Sequence, residues 1–141
     1  MRINLREMTP RDVPEVVDLW AAEGQSRRLP SRKLLKCFLE VGFGQIVRVR
    51  GSLIAASVYG ICGPGVGYIE HFVVAPKFRR RQVGTRLYRA CAEDLFARGV
   101  RRIILLVNTS NEPAQSFWKA QNIRPIRRAS ALYGRLPSAW H

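Results

Sequence analysis

Arg79, Arg80 and Arg81 stand in a row and are followed by Gln82, Val83 and Gly84. Guanidinium groups make charge-assisted, often bidentate hydrogen bonds to phosphate, and a glycine lets the backbone come close to a ligand. The row follows an apolar run, Tyr68 to Val74, whose ladder Pro76 should end by removing a backbone donor. It precedes a helical stripe of Val83, Leu87, Tyr88, Cys91 and Leu95. A loop placed between a strand end and a helix start presents consecutive N–H groups at the positive end of the helix dipole. That combination is an anion site, and the guest that suits it is a pyrophosphate. Upstream on the same strand lie two titratable residues, Glu70 and His71. Alternation sets Glu70, Phe72 and Val74 on one face and His71 and Val73 on the other.

The elements that must hold this loop can be taken in chain order. Ile3 to Arg6 alternates apolar and polar residues as a half-buried strand does. Thr9-Pro10-Arg11-Asp12 supplies a turn and N-cap residues for a helix with the stripe Val13, Val16, Val17, Leu19 and Trp20, ending at Gly24. A polar joint, Gln25 to Pro30, leads to a second helix over Ser31 to Val41. Gln45 to Val49 and Leu53 to Ile61 form a hairpin about Arg50-Gly51-Ser52, and the glycine- and proline-rich stretch Cys62 to Gly67 turns the chain back into Tyr68 to Val74. The helix after the arginines stops at Arg98-Gly99. Arg101 to Val107 is apolar on consecutive positions, the pattern of a central strand covered on both faces. Strand, crossover helix and strand make a parallel βαβ unit in an otherwise antiparallel sheet. Asn111 caps a last helix with Pro113 in its first turn. Ile123 to Arg127 and Ala129 to Tyr133 read as two terminal strands, and residues 135–141 as a loose tail.

The chain has 141 residues, 47% of them hydrophobic, enough for one compact domain with one core over residues 1–141. No apolar run reaches the roughly 20 residues that span a bilayer, and Met1 to Thr9 lacks the apolar stretch of a signal peptide. A cytoplasmic protein is expected, with no membrane partner. Cys37, Cys62 and Cys91 form no CxxC pair and are odd in number, which suits reduced, mostly buried thiols; no metal is expected. The net charge of +14 attracts anions. Of 24 basic residues, four are lysine and the remainder arginine, a bias that genomic base composition produces on its own. No nucleic-acid-binding motif accompanies the charge, so a dedicated nucleic-acid surface is not expected.

The segment Arg79-Arg80-Arg81-Gln82-Val83-Gly84 resembles the acyl-CoA signature of the GNAT superfamily of acetyl-CoA-dependent N-acetyltransferases: a strand, a proline, then Arg/Gln-x-x-Gly-x-Gly/Ala running into a helix. Gln82 replaces the first glycine, so position 82 is expected to hold a Cβ at negative φ. A second stretch, Asn111, Ala114, Phe117, Trp118, Asn122 and Ile123, is similar to the family's Asn-x-x-Ala-x-x-Phe-Tyr-x-x-x-Gly-Phe. Asn122 suits the left-handed helix cap usually given to glycine. The element order β, α, α, β, β, β, α, β, α, β, β is that of the GNAT fold, and the likeness covers nearly the whole chain. The fold expected is therefore α+β (α/β mixed): a mostly antiparallel seven-stranded mixed sheet, about four helices and a central, splayed parallel strand pair.

What the resemblance implies is transfer of an acetyl group from acetyl-CoA to a primary amine by direct attack through a tetrahedral intermediate. The pantetheine arm would pair with the backbone of Phe72, Val73 and Val74 like an added strand. The backbone of Arg79, Arg80, Arg81, Gln82, Val83, Gly84 and Thr85 would bind the pyrophosphate, and Asn111 would hydrogen-bond the pantetheine or adenosine. Asn108 is a second donor there or simply a strand-end turn residue. An alkylammonium of pKa about 10.4 needs a base at neutral pH. Glu70 stands where the family often carries a glutamate; it reads equally as an ion-pair partner of an arginine. His71, a side chain type that ordinarily titrates near neutrality, is the second choice. Trp118 replaces the tyrosine that in many members protonates the leaving thiolate; its indole donates a hydrogen bond but is no practical acid, and it reads as core or as a wall of the thioester pocket. Tyr133 is the substitute acid, or a packed strand aromatic.

The acceptor, a small-molecule or peptide amine, comes to residues of the first two helices, their joint and the final strands. The positive charge disfavours polycationic acceptors. A homodimer is left open. The rival reading is a non-catalytic acyl-CoA-binding or regulatory module, which Gln82 and Trp118 favour.

Overall fold

The computed structural model describes residues 1–23, 29–132 and 134–140. The chain divides into two compact units, Met1–Leu106 and Val107–His141. The first contains one mixed sheet of five strands, β1 (Asn4–Glu7), β2 (Phe43–Val49), β3 (Ser52–Gly63), β4 (Val66–Val74) and β5 (Arg102–Ile104), in the order β1-β2-β3-β4-β5. All neighbours are antiparallel except β4 and β5. Three helices belong to this unit, α1 (Val13–Ala22), α2 (Arg32–Phe38) and α3 (Val83–Ala97); α4 (Glu112–Ala120) belongs to the second.

The helical stripes are buried on opposite faces of the sheet. Val13, Val16 and Trp20 of α1 and Leu35 of α2 form one apolar cluster with Ile46, Ala56, Val58 and Val73. Val83, Leu87, Cys91 and Leu95, one face of α3 at three- and four-residue spacing, form another with Val47, Ala55, Tyr59 and Ile69. Consecutive strand residues point to opposite faces, so β2, β3 and β4 each contribute to both clusters. Burying side chains of this size contributes about 1.5–3 kcal/mol each. α3 ends as its sequence requires: the Val100 N–H donates back to the Leu95 carbonyl at 3.0 Å, and Gly99 takes the left-handed turn at φ 98°.

Several expectations need correction. The second helix stops at Phe38, three residues short of Val41, after Ser31 caps it by accepting from the Leu34 N–H. β3 and β4 extend to a two-residue turn at Pro64-Gly65, a tighter hairpin than the glycine count suggested. The sheet has five strands among the described residues in place of seven. The expected central strand Arg101 to Val107 is reduced to β5, at the end of the strand order, with Arg102 and Ile104 exposed. Its apolar run matched a doubly covered strand, but no further strand pairs with it among the described residues, and only Ile103 of β5 is partly buried. Residues 123–132 form no strand; Pro125 removes a ladder donor and Arg128 turns left-handed at φ 61°. Cys37 and Cys62 are exposed, and only Cys91 is buried, where desolvation pushes its thiol up.

Candidate functional site

The parallel pair is joined only at its base. Val66, Gly67 and Tyr68 pair with Arg102, Ile103 and Ile104, and the ladder ends there while β4 continues from Ile69 to Val74. In the same stretch β4 is bulged against β3. Val58 stands opposite Glu70 and Ala56 opposite Val73, so Ser57 faces two residues, His71 and Phe72. His71 absorbs the extra residue with φ 49°, and the buried Ser57 hydroxyl donates to the Glu70 carbonyl at 3.0 Å.

The bulge overturns the alternation expected along β4. Residues directly opposite share a face, so Glu70 lies on the side of Val58, which is the side of α1 and α2. His71 lies there too, its ring stacked on Trp20 with centroids 4.7 Å apart. Val73 is buried in the same cluster, whereas Phe72 and Val74 pack toward α3. Glu70 and His71 thus share a face because one inserted residue resets the period of two. Glu70 is exposed. Burial and the neighbouring Glu70 carboxylate push the Tyr68 phenol up. The Trp20 Nε1 is buried with no hydrogen-bond partner among the described residues.

At the end of β4 the Ala75 N–H donates to the Ile54 carbonyl at 2.8 Å while Val74 stands opposite Ala55. In an antiparallel ladder that arrangement turns the N–H and C=O of Val74 away from β3, toward the side from which β5 has departed. A 3₁₀ turn at Pro76–Phe78 follows. Arg79 then folds back: its Nε donates to the Val74 carbonyl at 3.0 Å and its Nη2 lies 3.6 Å from Glu23, the residue that ends α1. Arg80 and Gln82 both take φ 62°. The expectation of a negative φ at Gln82 is therefore wrong: the position keeps the left-handed backbone that suits a glycine and holds a glutamine in it.

The ladder of α3 begins with the Arg86 N–H donating to Gln82 C=O at 3.0 Å, so the N–H groups of Val83, Gly84 and Thr85 form the opening turn, where a helix has no internal acceptors. Val83 is buried in the core and fixes the turn; Arg80 and Arg81 are exposed. The loop and the end of β4 are adjacent along the chain, and the structure joins them through Arg79. Sequence reasoning gave Arg79 to phosphate and missed Glu23, whose only signal was its place at the end of a helix. It also missed the Trp20–His71 stack, since Trp20 read simply as part of an apolar stripe.

The second unit holds the remaining candidates. Asn111 caps α4, its Oδ1 accepting from the Ala114 N–H at 3.1 Å. Asn108 accepts from both the backbone and the hydroxyl of Ser110, as a turn residue does. Trp118 is buried with its ring edge-on to Phe117, centroids 4.8 Å apart. Asn122 takes φ 64° after the helix, as expected of a residue in a glycine's place. Tyr133 lies outside the described residues. Among the described residues there is no cluster of three potential metal ligands, and no helix is long and apolar enough to cross a membrane.

A family model described as Acetyltransferase (GNAT) family matches residues 9–122. Among solved structures, an aminoglycoside acetyltransferase, meta-AAC0020, from an uncultured soil metagenomic sample is similar with a TM-score of 0.80 at 13% identity, covering 96% of this chain and 97% of that one. AAC(6')-Iy in complex with the bisubstrate analog CoA-S-monomethyl-acetylneamine gives 0.78 at 19%, covering 96% and 100%. A ribosomal-protein-alanine N-acetyltransferase from Brucella melitensis biovar Abortus 2308 gives 0.76 at 17%, covering 95% and 99%. At these identities the likeness is one of fold. A search of curated proteins finds no match.

Proposed function

The chain belongs to the GNAT acetyltransferase family, and from that premise we propose that its 141 residues form one cytoplasmic N-acetyltransferase domain that moves the acetyl group of acetyl-CoA to a primary amine. The observation that carries this reading is the course of β4: it loses β5 after Tyr68, bulges at His71, and runs through Pro76 into the opening turn of α3. Acetyl-CoA, when bound, supplies an activated thioester. The turned-out backbone of Val74, with Phe72 and Val73 before it, would hold the pantetheine. The Arg79 N–H is given to the Pro76 carbonyl; the N–H groups from Arg80 to Gly84, with the guanidiniums of Arg80 and Arg81, would hold the pyrophosphate, where the helix dipole favours negative charge. Asn111 retains its amide N–H₂ for the cofactor, its oxygen being engaged as the helix cap.

Glu70 would take the proton of the acceptor ammonium, directly or through water, so that the amine nitrogen attacks the thioester carbonyl with its lone pair. A backbone N–H of the bulged stretch would stabilise the oxyanion. The carbon–sulfur bond would then break and release the thiolate of a thiol of ordinary pKa about 8.5, while the second proton of the attacking nitrogen would pass to that thiolate through water or Tyr133. The second reading, an acyl-CoA-binding module without turnover, is favoured by Trp118, which offers no acid where many relatives have a tyrosine. Calorimetry with CoA and a thiol-release assay against an amine panel separate the readings. Binding with turnover supports the enzyme, binding without turnover on any amine supports the module, and no affinity for CoA overturns both.

A further inference from the structure

We propose that Ser57 is a positioning residue for the transfer: its hydroxyl pins the peptide between Glu70 and His71, and so aims the Glu70 carboxyl that meets the amine. This rests on the acetyltransferase reading above and on Glu70 as its base. Residues Ile54 to Gly60 of β3 are all buried, and Ser57 fully so. A buried polar side chain costs free energy unless it finds a partner. The Ser57 hydroxyl has one proton to give. Its nearer acceptor is the Glu70 carbonyl at 3.0 Å, with the Val58 carbonyl at 3.3 Å. An alanine, as at positions 55 and 56, would fill such a strand position with no polar atom to satisfy.

The consequence comes from where the bond falls. Ser57 is the β3 residue that faces two residues of β4. A bulge interrupts the ladder, and a carbonyl at the interruption can take its donor from a side chain. The peptide unit is planar and trans, so a contact at the Glu70 oxygen fixes a plane with the Glu70 Cα at one end and the His71 N–H at the other. His71 holds φ 49°, a backbone that persists only where surrounding contacts impose it. The Ser57 bond and the stacking of His71 on Trp20 are two such contacts. Glu70 itself is exposed, and among the described residues no arginine or lysine pairs with its carboxylate. Its aim is therefore set at its own backbone, which Ser57 holds.

Ser57→Thr and Ser57→Val test this as a pair, because the two side chains are close in shape and differ in the hydroxyl. Comparing them separates the bond from the packing. Hydrogen exchange reads the bulge without any acceptor: the amides of residues 70–73 should exchange about tenfold faster in the Val variant than in the Thr variant, while those of α3 stay level. Equal exchange overturns the proposal. Initial rates with acetyl-CoA are then taken on whichever of neamine, putrescine and the tripeptide Ala-Gly-Gly is acetylated fastest. The Val variant should lose about tenfold in kcat against the Thr variant, with KM for acetyl-CoA and calorimetric CoA affinity within about twofold. The same comparison in a Glu70→Gln background decides the route. A residue that acts through Glu70 is not additive with it, so removing the hydroxyl there should cost less than about twofold. A full tenfold loss in both backgrounds shows a structural role only and overturns the positioning, leaving the acetyltransferase reading intact. Full rate in Glu70→Gln itself overturns the base and the positioning together; no affinity for CoA overturns the acetyltransferase reading as well.

Discussion

The Arg79 guanidinium closes back on the strand that precedes it, with Nε 3.0 Å from the Val74 carbonyl and Nη2 3.6 Å from Glu23. The first contact involves a backbone oxygen turned toward the splayed side of the sheet. The second joins the end of α1 to the same loop. Arg79 is therefore placed to set the loop's path, leaving Arg80 and Arg81 as the exposed cations. Replacing it by alanine should weaken CoA binding several-fold. The unfolding free energy should change by under about 1 kcal/mol, because an exposed ion pair contributes little. Calorimetry and thermal unfolding check both, and Glu23→Gln should leave CoA affinity within about twofold, since it removes only the exposed pair.

Gln82 holds φ 62° immediately before α3. A side chain in the left-handed region costs on the order of 1 kcal/mol, so Gln82→Gly should retain CoA affinity and leave stability level or slightly raised, the relief of strain offset by the greater entropy of an unfolded glycine. Gln82→Val should lower stability by about 1–2 kcal/mol, because a β-branched residue tolerates this backbone poorly. Thermal unfolding of both variants reads the sign. A stable valine variant with unchanged CoA binding would show that the left-handed turn is dispensable.

Asp12 anchors the entry to α1. Burial alone pushes its carboxyl up, but hydrogen bonds from the Arg6 guanidinium and from the N–H and hydroxyl of Thr9 outweigh it and hold the group well below its ordinary 3.8. A carboxyl depressed in the folded state stabilises the fold fully above its unfolded pKa and loses that contribution as the pH falls through the folded value. Unfolding free energy should therefore be flat in this term at neutral pH and decline below about 4. Asp12→Asn should cost roughly 2–3 kcal/mol at pH 7, the scale of losing charged hydrogen bonds at a buried site. It should also flatten the acid limb. Denaturant melts from pH 3 to pH 7 give both quantities.

Local signals carried far where they were self-sufficient. The stripes of α1 and α3, Asn111 as a cap, Gly99 as a helix stop and the parallel βαβ unit depend on residues close in sequence, and each stands in the structure as its pattern required. What failed depended on partners. Ile103 and Ile104 look like central-strand residues until the strand order leaves β5 at an end. The bulge lies opposite Ser57, thirteen residues before Glu70 along the chain, and nothing in Ile69 to Val74 announces an extra residue. Gln82 misled for a different reason: residue type suggested a negative φ, and the packing of Val83 into the core prevailed over local preference.

Because the bulge brings Glu70 and His71 to one face of the sheet, orientation no longer chooses between them as the base. Their surroundings do. His71 is stacked on the fully buried Trp20 and held at φ 49°, whereas Glu70 is exposed beside it. A base must reach an incoming ammonium, which favours Glu70, with His71 fixing the bulge that presents it. Glu70→Gln should lower kcat/KM by roughly 10²-fold, the lower end of what a general base contributes, while CoA affinity stays unchanged. If Glu70 is the base, the loss should be largest at neutral pH and shrink as rising pH deprotonates the amine without help. His71→Asn tests the other role: an asparagine accommodates the left-handed backbone, so that variant should keep the pH profile and lose at most a few-fold in rate. A pH–rate profile flattened by His71→Asn and untouched by Glu70→Gln would exchange the two assignments.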